Sequence, residues 1–175
     1  CTMTQSSSPW RAEPFGLRDR IHELNWRSAK LANEVTPPGR YVLAIVSTTN
    51  PDFLEPLGNM TYDEVYEGYK EQISALLEGG IDVFLIVGNH IDEALIAIEV
   101  ARDLCDVPII SQNIFYSTKN GFRTMMGDDP IKASAKLEEV GVDVIGGSCG
   151  LMTKSLDTSE WYSAATTLIK EMRKG

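Results

Sequence analysis

Four short apolar runs in this sequence are each followed by small polar residues. These are Ser47-Thr48-Thr49-Asn50, Gly88-Asn89-His90, Ser111-Gln112-Asn113 and Gly146-Gly147-Ser148-Cys149-Gly150. Hydroxyl and amide side chains donate and accept hydrogen bonds without carrying charge, which suits them to holding a small substrate. Loops are polar for solvation alone, so the recurrence after four successive runs is the informative part. Cys149 offers the sharpest chemistry. The glycines before it let a ligand or metal approach the backbone closely, and a thiolate there suits a Zn²⁺ ligand or a nucleophile. A buried structural cysteine is the competing reading. No CxxC or HExxH accompanies it, so spacing alone completes no zinc site.

His90, also at the end of an apolar run, suits an acid, a base or a ligand, and equally a surface loop histidine. His22 falls within a helical stretch and reads as solvated, while Cys105 closes another helix and reads as core. No lysine stands at the end of an apolar run, which weakens a Schiff-base aldolase reading. No Ser-His-Asp or paired-carboxylate arrangement can be recognised from spacing.

The elements that position these residues alternate. A helix is expected over Leu17–Val35, with Ile21, Leu24, Leu31 and Val35 as its apolar stripe, ended by Thr36-Pro37-Pro38-Gly39. Tyr41–Val46 reads as a buried strand and Ser47–Met60 as a loop ending in the capping box Thr61-x-x-Glu64. Val65, Tyr69, Ile73 and Leu76/Leu77 then follow at helical spacing up to Gly79-Gly80, a left-handed cap. Ile81–Val87 is the second strand, Asp92–Leu104 a helix and Pro108–Ser111 the third strand. After a loop over Tyr116–Asp128, Asp129-Pro130 starts a helix that ends at Gly141. Val142–Ile145 is the fourth strand and Ser159–Met172 the last helix. Glu78-Gly79-Gly80-Ile81-Asp82-Val83 is echoed by Glu139-Val140-Gly141-Val142-Asp143-Val144, the same helix-to-strand turn used twice.

Strict alternation with strands apolar on both faces predicts a parallel sheet with helices outside. No GxGxxG turn follows a strand, which lowers a dinucleotide-binding reading. Four strands fall short of an eight-stranded barrel. At 175 residues one domain is expected over 1–175. A net charge of -9 and a pI near 4.7 argue against nucleic-acid or anionic-membrane partners. The apolar runs are too short to cross a bilayer, and Cys1–Pro14 has no apolar stretch of a secretory signal. Three irregularly spaced cysteines suit a reducing cytoplasm better than a disulfide framework. A start at Cys1 suggests a fragment or a processed chain.

Several stretches together resemble a known family. They are Val42–Pro51; Tyr66-x-x-Tyr69-x-x-Gln72 through Leu76–Ile86; Ser111 through Gly121–Gly127; and Val142–Gly150, the last similar to the family's G-x-N-C zinc strand. The family is the homocysteine S-methyltransferases, including the homocysteine-binding module of cobalamin-dependent methionine synthase and related corrinoid methyltransferases. The resemblance covers nearly the whole chain and keeps the order of elements. It implies a parallel (β/α)8 TIM barrel of which this chain is an incomplete central portion, from the end of the second strand (Cys1–Thr4) to the sixth helix. It further implies three zinc-binding cysteines, with Cys149 matching the first.

On this resemblance the expected activity is zinc-dependent methyl transfer between a small substrate and a corrinoid (cobalamin) carried by a partner protein or domain. Homocysteine and methionine biosynthesis are the family setting, and a homo-oligomer is allowed. The expected substrate-binding residues are Ser47, Thr48, Asn50, Asn89, Ser111 and Asn113, with Cys149 on the metal. Two departures stand out: Val87-Gly88 replace the family's Glu-Thr pair, and Ser148 replaces the Asn before the zinc cysteine. In the family that carboxylate contacts the substrate ammonium. A charge-assisted contact of this kind is worth about 1.5–3 kcal/mol, and its loss opens the substrate class to methylated ethers, amines and thioethers. The rival expectations are a metal-independent barrel lyase or aldolase and a degenerate, non-catalytic barrel subunit.

Overall fold

The structure is a computed structural model, and it describes residues 1–47, 54–56, 58–88, 90–148 and 158–175. The elements are α1 (Pro9–Ala12), α2 (Ile21–Glu34), β1 (Leu43–Ser47), α3 (Tyr62–Glu78), β2 (Val83–Gly88) and α4 (Ile91–Leu104). There follow β3 (Ile109–Ile114), a hairpin of β4 (Tyr116–Thr118) and β5 (Gly121–Arg123), α5 (Pro130–Glu139), β6 (Val144–Ser148) and α6 (Trp161–Met172).

The main sheet has four parallel strands in the order β1-β2-β3-β6, which is also their order along the chain. A doubly wound sheet reverses its strand order at a switch point, and this one does not. Successive helices also pack on one another, α2 on α3 and α3 on α4, so they share one side of the sheet. A singly wound parallel sheet of this kind is consistent with part of a (β/α) barrel.

One face of the sheet carries the core. Ala44, Val46, Phe84, Ile86 and Ile109 pack beneath Val65, Tyr69, Ile73 and Leu76 of α3 and Ala94, Ala97, Ile98 and Ala101 of α4. The other face bears Leu43, Val83, Leu85, Val87, Ile110 and Ile114, all only half-buried, and Val144, which is 52% exposed. Sequence reading expected strands apolar on both faces, and they are; among the described residues only one of those faces is covered. Cys1–Thr4 lies along the free edge of β1. Thr2 N–H donates to Leu43 O at 2.8 Å, and the Thr4 hydroxyl donates to Ile45 O at 2.6 Å. Side-chain hydroxyls thus replace part of a strand ladder.

The repeated turn has a specific task. Asp82 N–H donates to Val42 O at 2.9 Å, and its carboxylate accepts from Val42 N–H at 2.7 Å. Asp143 repeats the clasp on the neighbouring strand: its N–H donates to Ile109 O at 3.1 Å, and its carboxylate accepts from Ile109 N–H at 2.8 Å. Arg102 reinforces the second clasp at 2.6 Å. Each aspartate therefore locks the start of its own strand to the start of the strand before it.

Some expectations need correction. The buried residues of α2 are Ile21, Asn25 and Ala29, whereas Leu31 and Val35 of the expected stripe are 62% and 80% exposed. The reason lies at the crossing with α3. Gly79 sits so close to Ala29 that a methyl group there would overlap the alanine Cβ, and this approach fixes which face of α2 turns inward. Asn33 completes the crossing by donating to Gly79 O and Gly80 O. Gly79 itself is right-handed; the left-handed residue is Gly80, at φ 86°. α2 begins at Ile21 rather than Leu17, after a 3-10 turn over Arg18–Arg20. The β4–β5 hairpin falls inside the stretch expected to be loop. Between α3 and α4 the hydroxyls of Tyr62 and Tyr66 donate to Glu99 and Asp103. Those acceptors push both phenols up to about 12.

Two measurements test this account. Gly79→Ala is expected to destabilise the chain by about 1–3 kcal/mol in urea unfolding, because the methyl forces α2 off α3. The Asp143 carboxyl is held below its ordinary value, first by the Ile109 N–H and then by Arg102. A depressed carboxyl pKa stabilises the fold above the ordinary range, near about 4, and that contribution is lost as pH falls through the folded value. Asp143→Ala should therefore cost on the order of 1 kcal/mol at neutral pH, with the gap to wild type narrowing in acid.

Candidate active site

In parallel α/β proteins the C-terminal ends of the strands are where sites form. Strand register shows what this end presents. Ser47 aligns with Val87, Val87 with Gln112, and Gln112 with Gly146, one row across all four strands. This row faces away from the helices, because the neighbouring residues Val46, Ile86 and Ser111 point into the core. Gly147 confirms the parity from the other side: a methyl group on it would meet Leu168 of α6.

The expected binding residues separate accordingly. Ser47 lies on the open face, and its carbonyl oxygen is 3.5 Å from the Tyr69 hydroxyl. Ser111 and Asn113 lie on the helix side and are fully buried, with the Asn113 amide donating to the Ser111 hydroxyl at 3.1 Å. Asn113 Oδ1 is buried without a partner. Between them Gln112 turns to the open face, its amide 3.5 Å from Gly147 O. Of the three polar residues at that strand end, Gln112 is the one placed to meet a ligand in the row. Thr48, Asn50, Asn89 and Cys149 lie outside the described residues.

His90 is the N-cap of α4. Its Nδ1 accepts the Glu93 N–H at 3.3 Å, and the ring is 5% exposed. Asp129 caps α5 in the same way, accepting from Lys132 N–H at 2.9 Å. His22 is exposed and meets Glu78 at 2.9 Å, in line with its solvated reading. Cys105 packs partly buried against the core, with its Sγ donating to Ala101 O.

Behind the row stands a buried polar contact that sequence reading missed. The Tyr69 hydroxyl donates to Glu93 Oε1 at 2.6 Å, with the two residues 0% and 1% exposed. Burial first, then the neighbouring carboxylate, raises the Tyr69 phenol well above its ordinary value. Trp10 packs against Tyr69 in a T-shaped pair, centroids 5.0 Å apart at 88°. Tyr69 thus joins α3, the first turn of α4 and the end of β1. In sequence it reads as one more member of an apolar stripe; the available signal was a glutamate placed where α4 must bury its first turn.

A homocysteine S-methyltransferase family model matches residues 1–170. The chain belongs to that family. Membership points to methyl transfer, and the match runs from the start of the chain into α6. Val87, where the resemblance expects a glutamate, lies in the row with an apolar side chain. Among the described residues no group of three or more His, Cys, Asp or Glu is placed to hold a metal ion. No helix among them is long and apolar enough to cross a membrane.

The Tyr69–Glu93 contact yields a test. Tyr69→Phe keeps the ring and removes the donor to a buried carboxylate. It is expected to cost about 1.5–3 kcal/mol, measured by denaturant unfolding.

Proposed function

We propose that this chain is the substrate module of a zinc-dependent methyltransferase that exchanges a methyl group between a small molecule and a corrinoid carried by a partner. The observation that carries the reading is the family match over residues 1–170, joined to a polar row at the strand ends. Cys149 is assigned as a zinc ligand. It follows β6 directly, after Gly146 on the open face and Gly147 against α6. A catalytic zinc takes three protein ligands, and among the described residues no such set is placed together. Zinc bound there would make a substrate thiol more acidic or polarise the heteroatom that bears the methyl group.

The chain's own side chains bind and orient. Ser47 and Gln112 offer a hydroxyl and an amide to the substrate from either side of Val87. Val87 gives the middle of the row an apolar contact. Thr48, Asn50 and Asn89 are assigned to the same mouth on sequence grounds, whereas Ser111 and Asn113 support the mouth from the core side. A reducing, cytoplasmic setting fits a site that works through a thiolate.

Metal analysis tests the ligand assignment. Cys149→Ser is expected to lose bound zinc while Cys105→Ser retains it; stoichiometric zinc in Cys149→Ser would overturn the assignment. Assays with methylcobalamin and a panel of thiols, and in reverse with cob(I)alamin and methyl ethers, amines and thioethers, test the activity. Absence of transfer in both directions overturns the reading.

A further inference from the structure

The helix layer has a gap over β6. Ile145 aligns with the core-facing Ser111, on the side of the sheet that the helices cover. There α5 and α6 leave a cavity of about 300 Å³ between them, at the lower end of the range for small-molecule sites. Val142 and Ile145 at the strand, with Ile169 and Met172 of α6, give it an apolar lining. It lies beside the start of β6, at the opposite end of that strand from the mouth.

Three polar groups line this cavity without partners. The Ser134 hydroxyl of α5 is buried and makes no hydrogen bond, and the residue is 3% exposed. A helical serine or threonine often returns its hydroxyl to the carbonyl four residues back, and Thr166 and Thr167 of α6 do so. Ser134 does not, so its hydroxyl is turned off its own helix. Glu138, one turn later on the same face of α5, lines the cavity with it. Arg173, which closes α6, lines the other wall. Among the described residues neither the Glu138 carboxylate nor the Arg173 guanidinium has a hydrogen bond or an ion pair, with each other or elsewhere. Asp143 also borders the cavity, but its carboxylate is committed to Ile109 N–H and Arg102.

We propose that this cavity is a binding site for a small aliphatic α-amino acid, separate from the methyl-transfer mouth. The charges select the class. A ligand with only a negative charge faces Glu138, one with only a positive charge faces Arg173, and a hydrocarbon leaves both charges and the hydroxyl unused. A zwitterion serves all three. Its carboxylate pairs with the Arg173 guanidinium, and its ammonium donates to the Glu138 carboxylate and the Ser134 hydroxyl oxygen. Its side chain rests on Ile145, Ile169 and Met172.

Titration of isoleucine-methyl-labelled protein with L-leucine tests the site. Leucine carries no methyl group on a heteroatom, so methyl transfer does not enter the measurement. Saturable shifts of the Ile145 and Ile169 signals are expected, with Ile114 at the far end of β3 unmoved. Isocaproate and isoamylamine, each lacking one of leucine's charges, should bind about 10-fold or more weakly. Arg173→Gln and Glu138→Gln change exposed side chains and should melt with wild type, each binding L-leucine about 10-fold more weakly. Ser134→Ala should weaken it about 3-fold. Absence of shifts at Ile145 and Ile169, binding of either single-charge analogue as tight as that of L-leucine, or unchanged affinity in either charge variant overturns the proposal. Each of these outcomes leaves the methyl-transfer reading standing.

Discussion

Side chains alternate across a β-strand, and in a singly wound sheet that two-residue period separates core from site. Helices cover one face, so every second residue of β1, β2, β3 and β6 is committed to packing against them. Ser47, Val87, Gln112 and Gly146 share the other face because the strands are in register. A slip of one residue in β3 would exchange Gln112 for Ser111 or Asn113 and bury the row's amide. What pins the register lies at the opposite end of the sheet. The Asp82 and Asp143 clasps lock β2 onto β1 and β6 onto β3 at their starts. The chemistry offered at one end of the strands thus depends on two aspartates at the other.

Much of this was legible in the sequence because it is local. The alternation of elements, the Thr61–Glu64 capping box, Pro130 after its Asp129 cap and the repeated Gly-x-Asp turn each rest on residues within a few positions of one another. The four strands were recognisable, although each lies one to three residues further along than expected at one end or both. What the sequence did not disclose depends on contacts between distant segments. The inward face of α2 is set by the approach of Ala29 to Gly79, and no periodicity count within α2 contains that information. Leu31 and Val35 fit a helical stripe and still face outward.

The same distinction governs the site. Polar residues after each strand were easy to find, and their residue types suggested binding. Which of Ser111, Gln112 and Asn113 faces a ligand depends on strand phase, and the phase becomes visible only once Ile86 aligns with Ser111 in the sheet. Residue type favoured all three equally. Tyr69 was hidden for a related reason: a buried tyrosine in an apolar stripe looks like packing until its hydroxyl has a partner from another helix.

The resemblance expects a carboxylate where the apolar Val87 stands, which makes the nearby carboxylates relevant. Asp92, five residues along, is exposed and paired with Lys136, and Glu93, six residues along, is in the wrong layer. It belongs to α4 on the helix side of the sheet, is 1% exposed and accepts the Tyr69 hydroxyl at 2.6 Å. Turning it toward the open face would require breaking the hydrogen bond from the buried Tyr69 hydroxyl. A carboxylate that stabilises the scaffold in this way is unavailable to a substrate. The change at Val87 therefore stands uncompensated by Glu93, and the row keeps an apolar centre between a hydroxyl and an amide.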